Sequence, residues 1–132
     1  RWGHATGDRV IQMMARLLCA AIRQQDSGGR LGGEEFAAVL PETGLAGALT
    51  LAERLRARIA ECLDAHDDFG MPVRFTVSIG VASLMPDDIS LDMVLQRADK
   101  ALYLAKSSGR NRVEVMPLDK PVQDRPDEAA TA

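Results

Sequence analysis

From Asp8 the apolar residues Val10, Met14, Leu17 and Ala21, with their neighbours Ile11, Leu18 and Ile22, recur at three- and four-residue steps. This spacing predicts one face of a helix running to about Gln25, with Asp8 at its start, where a carboxylate suits the helix N-terminus. Asp26-Ser27-Gly28-Gly29 is expected to break it. A short Arg30-Leu31 segment, Gly32-Gly33-Glu34 and the run Glu35 to Leu40 then read as a hairpin, punctuated by Pro41 and Gly44. A second helix is expected over roughly 45–65, with Ala48, Ala52, Leu55, Ile59 and Leu63 on one side. After a loop at 67–72, Val73, Phe75, Val77, Ile79 and Val81 alternate strictly with Arg74, Thr76, Ser78, Gly80 and Ala82. That is the clearest strand in the chain. Its small second face, Thr76, Ser78 and Gly80, suits helix packing. Ser90 can cap a third helix whose apolar face is Leu91, Val94, Leu95, Ala98, Leu102 and Ala105, stopped by Gly109. A last strand follows at 113–116.

Helices alternating with strands, one strand pair closed by a tight hairpin, imply an α+β fold in which a mixed sheet is flanked by helices. Residues 1–116 account for all of these elements. Residues 117–132 are rich in proline and charge and carry almost no large apolar side chain, so a disordered C-terminal tail is expected there.

At 132 residues, 46% hydrophobic and 27% charged, the chain has the size and composition of one soluble globular domain. No apolar stretch approaches the ~18 to 20 residues of a membrane span. A net charge of -3 is the wrong sign for a protein that lives on duplex nucleic acid, so any phosphate must be met by a few local cations. Cys19 and Cys62 lie among apolar residues at helical spacing and read as buried free thiols of a reducing cytoplasm. The chain opens on Arg1-Trp2-Gly3-His4 without an initiator Met, as expected of a piece of a longer polypeptide.

The hairpin Arg30-Leu31-Gly32-Gly33-Glu34-Glu35-Phe36 is the most unusual segment. Adjacent glycines let backbone N–H groups approach a phosphate, and adjacent carboxylates offer hard oxygen ligands to Mg2+. By composition alone an ordinary solvated turn has the same residues. Lys106 and Arg110 stand four residues apart at the end of the third helix, where they could clamp a triphosphate or simply complement the helix dipole. Arg23 and Asp26 form an i, i+3 pair, and Asp8 could accept from a guanine edge or cap its helix.

The order of these signals is more specific than any one of them. Gly3-His4-x-x-Gly7-Asp8, Arg23-x-x-Asp26, Arg30-x-Gly32-Gly33-Glu34-Glu35-Phe36, Thr76-Val77-Ser78-Ile79-Gly80-Val81 and Ala98-Asp99-x-Ala101-Leu102-Tyr103-x-Ala105-Lys106-x-x-Gly109-Arg110-Asn111 resemble, block by block, the GGDEF family of bacterial diguanylate cyclases. The resemblance covers residues 1–116 and implies a fold related to the palm-like core of class III nucleotide cyclases. It implies condensation of two GTP into cyclic di-GMP with Mg2+ or Mn2+. Glu34 and Glu35 would be the catalytic and metal-binding carboxylates. Gly32, Gly33, Lys106 and Arg110 would meet the phosphates, Asp8 the guanine with His4 nearby, and Arg23 with Asp26 would form an inhibitory site for the product. Each domain would hold one GTP, so catalysis would need a homodimer, driven by an upstream sensory module in a cytoplasmic or membrane-anchored parent protein.

Members of that family carry, just before the Gly-His block, a central strand with a metal-binding Asp, a phosphate-binding Lys and a guanine-binding Asn. All three would precede Arg1, and the absence of that strand is expected to leave its neighbours in the sheet unpaired. A catalytically silent module that binds cyclic di-GMP or GTP is the alternative reading.

Overall fold

The computed structural model describes residues 4–116 and 128–131. The first helix, α1, spans His4–Ala21 and buries Val10, Met13, Met14 and Leu18. It begins a turn earlier than expected because the buried stripe reaches back to Thr6, which is 2% exposed and accepts a hydrogen bond from Arg9 Nη2 at 3.1 Å. Asp8 is therefore an exposed residue of the helix's second turn and not its N-cap. The helix also ends four residues early. The Asp26 carboxylate accepts the Arg23 backbone N–H at 2.7 Å and turns the chain between 22 and 26.

Strands β1 (Ser27–Gly32) and β2 (Glu35–Val39) form the antiparallel hairpin, in register from Ser27↔Val39 to Gly32↔Glu35, with an irregularity between Arg30 and Gly32. Gly28 and Gly29 belong to β1 and do not serve only as a breaker. A Cβ at Gly28 would meet Ile22 Cδ1 at 3.1 Å, so the missing side chain lets α1 lie close to the strand.

Helix α2 (Leu45–Glu61) buries Ala48, Ala52, Leu55 and Ile59, the face expected from spacing. It stops before the expected Ala65. Cys62 is extended, Leu63 is exposed, and Ala65 turns inward, its carbonyl accepting Val73 N–H at 2.7 Å. The loop after α2 is a narrow arm closed by the bridge His66↔Pro72 and fastened to α1 by Arg9, which donates to His66 O at 2.7 Å and Asp68 Oδ1 at 2.6 Å.

Of the long alternating segment, Val73 and Phe75 are buried, but only Ile79–Ser83 is in the ladder, as β3. All five of its residues are buried, so alternation gives way to two covered faces. Ile79 and Val81 join the core under α1 and α2. Ala82 packs with Val94 and Ala98 of α3 (Leu91–Ser107) on the other face. Gly80 permits that contact, since a Cβ there would lie 2.1 Å from Ala98 O and 2.3 Å from Leu102 N. Ser90 has the extended backbone of an N-cap but makes no side-chain cap bond. α3 leads to β4 (Val113–Val115), parallel to β3.

The sheet is completed by β5 (Glu128–Thr131), giving the order β1-β2-β5-β3-β4, with β5 antiparallel to both neighbours. The expectation of a disordered tail fails for residues 128–131. The remainder of the tail, residues 117–127 and 132, lies outside the described residues. The expected unpaired edges of β2 and β3 are likewise met by β5, because backbone N–H and C=O groups facing each other across a strand-wide slot require partners. The result is a mixed sheet between α1 and α2 on one face and α3 on the other, the α+β architecture expected from the sequence. Both cysteines are free, but Cys19 is exposed and Cys62 half-buried, contrary to the expectation of two buried thiols.

Candidate active site

The register places the candidate residues at two opposite ends of the sheet. Ala37 of β2 and Gly80 of β3 both face Thr131 of β5, and Ile79 of β3 faces Val113 of β4. The start of β2, where Glu35 stands, and the segment leading into β4, where Arg110 to Arg112 stand, therefore meet at one end. Three strand spacings, about 14 Å, separate β2 from β4 at this end. Helix α3 runs back from the far end of β3, so its last turn, with Lys106, closes on this same end. α1 enters β1 through a short turn and is about 27 Å long, so its start, the stretch 4–8, also lies toward the hairpin end.

The hairpin tip is narrow and braced. Gly33 has φ 53°, a left-handed conformation that costs glycine nothing, and Arg30 Nε donates to Gly33 O at 2.7 Å. Glu34 and Glu35 are exposed. Among the described residues neither takes part in an ion pair or a side-chain hydrogen bond, and the same holds for the side chains of Asp8, Lys106 and Arg110. Their charge is left for a ligand or water.

The end of α3 is a Schellman-type stop. Ser108 N–H bonds Leu104 O and Arg110 N–H bonds Ala105 O, both at 2.9 Å, around Gly109 at φ 125°. Arg110 (φ 63°) and Asn111 (φ 47°) continue in the left-handed region, which asparagine tolerates well and arginine rarely adopts. Arg112 Nε donates to Arg110 O at 3.2 Å, and Arg112 O accepts Ile79 N–H at 2.9 Å, tying the turn to the sheet.

Arg23 and Asp26 sit at the other end, about 17 Å along β1 from the tip. Asp26 has no exposed side-chain surface and is held by Arg23, whose Nε and Nη2 reach it at 3.3 and 3.2 Å. The same Nη2 donates to Pro41 O at 2.9 Å and to Thr43 Oγ1. The structure thus brings together the hairpin, Lys106, Arg110 and the start of α1, and holds the Arg23-Asp26 pair apart from them.

Two polar clusters escaped sequence reasoning. Arg97 forks onto Asp88 at 2.6 and 2.5 Å and donates to Ser83 O at 2.7 Å, and Asp88 also accepts Met85 N–H at 2.7 Å. The Arg97 bonds, aided by the Met85 N–H, hold the Asp88 carboxyl below its ordinary value against its burial. Arg56 on α2 forks onto Glu53 at 2.9 and 2.5 Å and reaches Asn111 Oδ1 at 2.8 Å, and its hydrogen bond keeps the Glu53 carboxyl below the usual range. The i, i+3 spacing of Glu53 and Arg56 was a readable signal; the reach to Asn111, 55 positions away, was not.

Two adjacent exposed carboxylates fit a Mg2+ ion, which keeps waters and substrate phosphates among its ligands and does not need an all-protein cage. Among the described residues no group of three or more His, Cys, Asp or Glu side chains gathers to hold a metal by itself. Among them, too, no helix is long and apolar enough to cross a membrane.

The chain is 41% identical over 112 residues to diguanylate cyclase A of Treponema denticola, covering 85% of this chain and 30% of that protein. It is 46% identical over 112 residues to the Escherichia coli diguanylate cyclase DgcM, covering 85% and 26%. It therefore spans less than a third of the length of these relatives. Among solved structures, the active GGEEF domain of a diguanylate cyclase from Vibrio cholerae superposes with a TM-score of 0.77 at 36% identity, covering 89% of this chain and 73% of that one. The GGDEF domain of DgcB from Caulobacter crescentus, in complex with c-di-GMP, superposes at 0.82 and 34% identity, covering 89% and 66%. The model of the family described as "Diguanylate cyclase, GGDEF domain" matches residues 1–112, and a fold, a motif order and a sheet end that all agree with it make this chain a member of the GGDEF family of diguanylate cyclases.

Proposed function

We propose that residues 1–116 are the catalytic domain of a diguanylate cyclase that condenses two GTP into cyclic di-GMP and two pyrophosphates. The observation that carries this is the occurrence of two exposed carboxylates, without a partner among the described residues, on a braced glycine tip at the same sheet end as Lys106 and Arg110, in a chain of this family. Each 3'-hydroxyl oxygen attacks the α-phosphorus of the other GTP. A new phosphorus–oxygen bond forms, the bond from the α-phosphorus to the bridging oxygen breaks in line, and pyrophosphate leaves with that electron pair. The hydroxyl proton passes to a carboxylate at the tip, Glu34 or Glu35.

Gly32 and Gly33 let the backbone approach the phosphates, and Lys106 with Arg110 neutralise their charge. Asp8, on the exposed face of α1, accepts from guanine, with His4 one turn earlier on the same helix. Glu34 and Glu35 would hold Mg2+ or Mn2+, which when bound offsets negative charge on the triphosphate. Because each hydroxyl must lie in line with the partner's phosphate, two copies of the domain face each other in a homodimer. Arg23 and Asp26 form a separate product site, in which the half-exposed Arg23 guanidinium offers a fork for phosphate or guanine and the buried Asp26 carboxylate, expected from the sequence to accept from guanine, instead holds that guanidinium. The parent protein works in the cytoplasm or at its membrane, under control of a further sensory domain.

The full-length protein supplied with GTP and Mg2+ should release pyrophosphate and form cyclic di-GMP, and Glu34→Ala and Glu35→Ala should each abolish both. Turnover unchanged by either substitution would refute the assignment. Tight binding of cyclic di-GMP by a protein that makes none would instead identify a receptor.

A further inference from the structure

We infer that Arg56 is a positioning residue for Arg110, setting the triphosphate grip from a different helix. This rests on the reading of Arg110 as a phosphate contact. Arg110 and Asn111 occupy consecutive left-handed conformations, φ 63° and 47°; asparagine takes this region readily, but arginine does so at a steric cost that the surroundings must offset. The backbone bond from Arg110 N–H to Ala105 O secures the near side of this turn, and Arg112, donating to Arg110 O and accepting Ile79 N–H, secures the backbone beyond it. Between these ties, Arg56 of α2 holds the side chain of the turn's central residue, with Asn111 Oδ1 accepting Arg56 Nη1 at 2.8 Å.

Arg56 is itself immobilised. Its Nε and Nη2 are both taken by the Glu53 carboxylate, leaving Nη1 to reach the turn, and its side chain is 20% exposed. The guanidinium is rigid and planar, so the Glu53 carboxylate that holds Nε and Nη2 also limits where Nη1 can hold Asn111. Arg110, the neighbouring residue, is exposed and has no side-chain partner of its own among the described residues. Its approach to a ligand therefore starts from this turn, to which Arg56 adds the one side-chain tie from α2 among the described residues, beside the backbone bonds to α3 and the sheet.

The test is equilibrium binding of a non-hydrolysable GTP analogue and of GMP, with Mg2+, by the full chain and four variants. Arg110→Ala should weaken the analogue by about 10- to 100-fold, the loss of a charged phosphate contact. Arg56→Ala should weaken it by about tenfold, and the double variant no more than Arg110→Ala alone, because both act through one contact. Arg56→Lys, which keeps the charge without the fork, should fall between wild type and Arg56→Ala. GMP, which lacks the β- and γ-phosphates, should bind all the Arg56 variants like wild type. If Arg56→Ala left analogue affinity within about twofold while Arg110→Ala abolished it, or if the Arg56 variants lost GMP equally, the positioning role would be wrong and the phosphate role of Arg110 would stand. If Arg110→Ala bound the analogue like wild type, the phosphate reading itself would fail.

Discussion

The two ends of the sheet use charge in opposite ways. At the hairpin end Glu34, Glu35, Asp8 and Arg110 are exposed, and none of their side chains has a partner among the described residues. At the other end Asp26 and Asp88 are buried, each forked by an arginine and each also accepting a backbone N–H. A buried carboxylate is tolerable only when its lone pairs are satisfied, so those acids are committed to structure. Exposed acids on a rigid turn forgo that stabilisation and keep their coordination capacity. The Arg23-Asp26 pair stands between these cases: Asp26 is buried, while the Arg23 side chain is 47% exposed and can still present its guanidinium outward.

If the contrast is right, substitutions at the two ends should separate activity from stability. The largest effect belongs to the tip, where Glu34→Ala or Glu35→Ala should lower the rate of cyclic di-GMP formation by about 10³-fold. Neither should shift the urea midpoint of unfolding, because neither removes an internal contact. Asp88→Asn should do the reverse, costing about 2 kcal/mol in chemical denaturation by leaving the Arg97 guanidinium incompletely paired. The sign of its pH dependence follows from the depressed folded-state value of Asp88. Its stabilisation is complete above the ordinary aspartate value near about 4 and is lost as pH falls through the lower folded value, so Asp88→Asn should flatten the acid limb of the stability profile.

A smaller effect tests the intermediate case. Arg23→Ala should weaken cyclic di-GMP binding by about tenfold in calorimetry and relieve product inhibition while leaving the initial rate intact. Equal loss of initial rate would show that the two ends are not independent. The smallest change is expected for Arg30→Ala, which frees the tip by removing the bond to Gly33 O: about a threefold fall in kcat with KM nearly unchanged.

Much of this was legible along the chain. The buried faces of α2 and α3 follow helical spacing, since residues three or four apart share a side whatever they pack against. The GGEEF tip, Lys106 and Arg110 were legible as a motif. The position of Asp8 was not, because the start of α1 depends on burying Thr6, which spacing from Val10 onward did not include. Nor was the fate of the long alternating run. Residues 74–78 have the pattern of a strand but pair with no strand among the described residues, and β3 begins only where β4 and β5 supply one.

What the sequence by itself determined was local: which residues face inward on each helix, where glycine allows a tight tip, and which charged residues stand in a family's order. Tertiary structure alone decided which of those charges share a sheet end, because strand register is a relation between segments far apart in the chain. It also decided that residues 128–131 lie between β2 and β3, since backbone groups facing one another across that slot must be paired whichever segment supplies the strand. The reach of Arg56 to Asn111 is of the same kind: two ordinary surface residues become one device only when α2 and the turn after α3 are folded against each other.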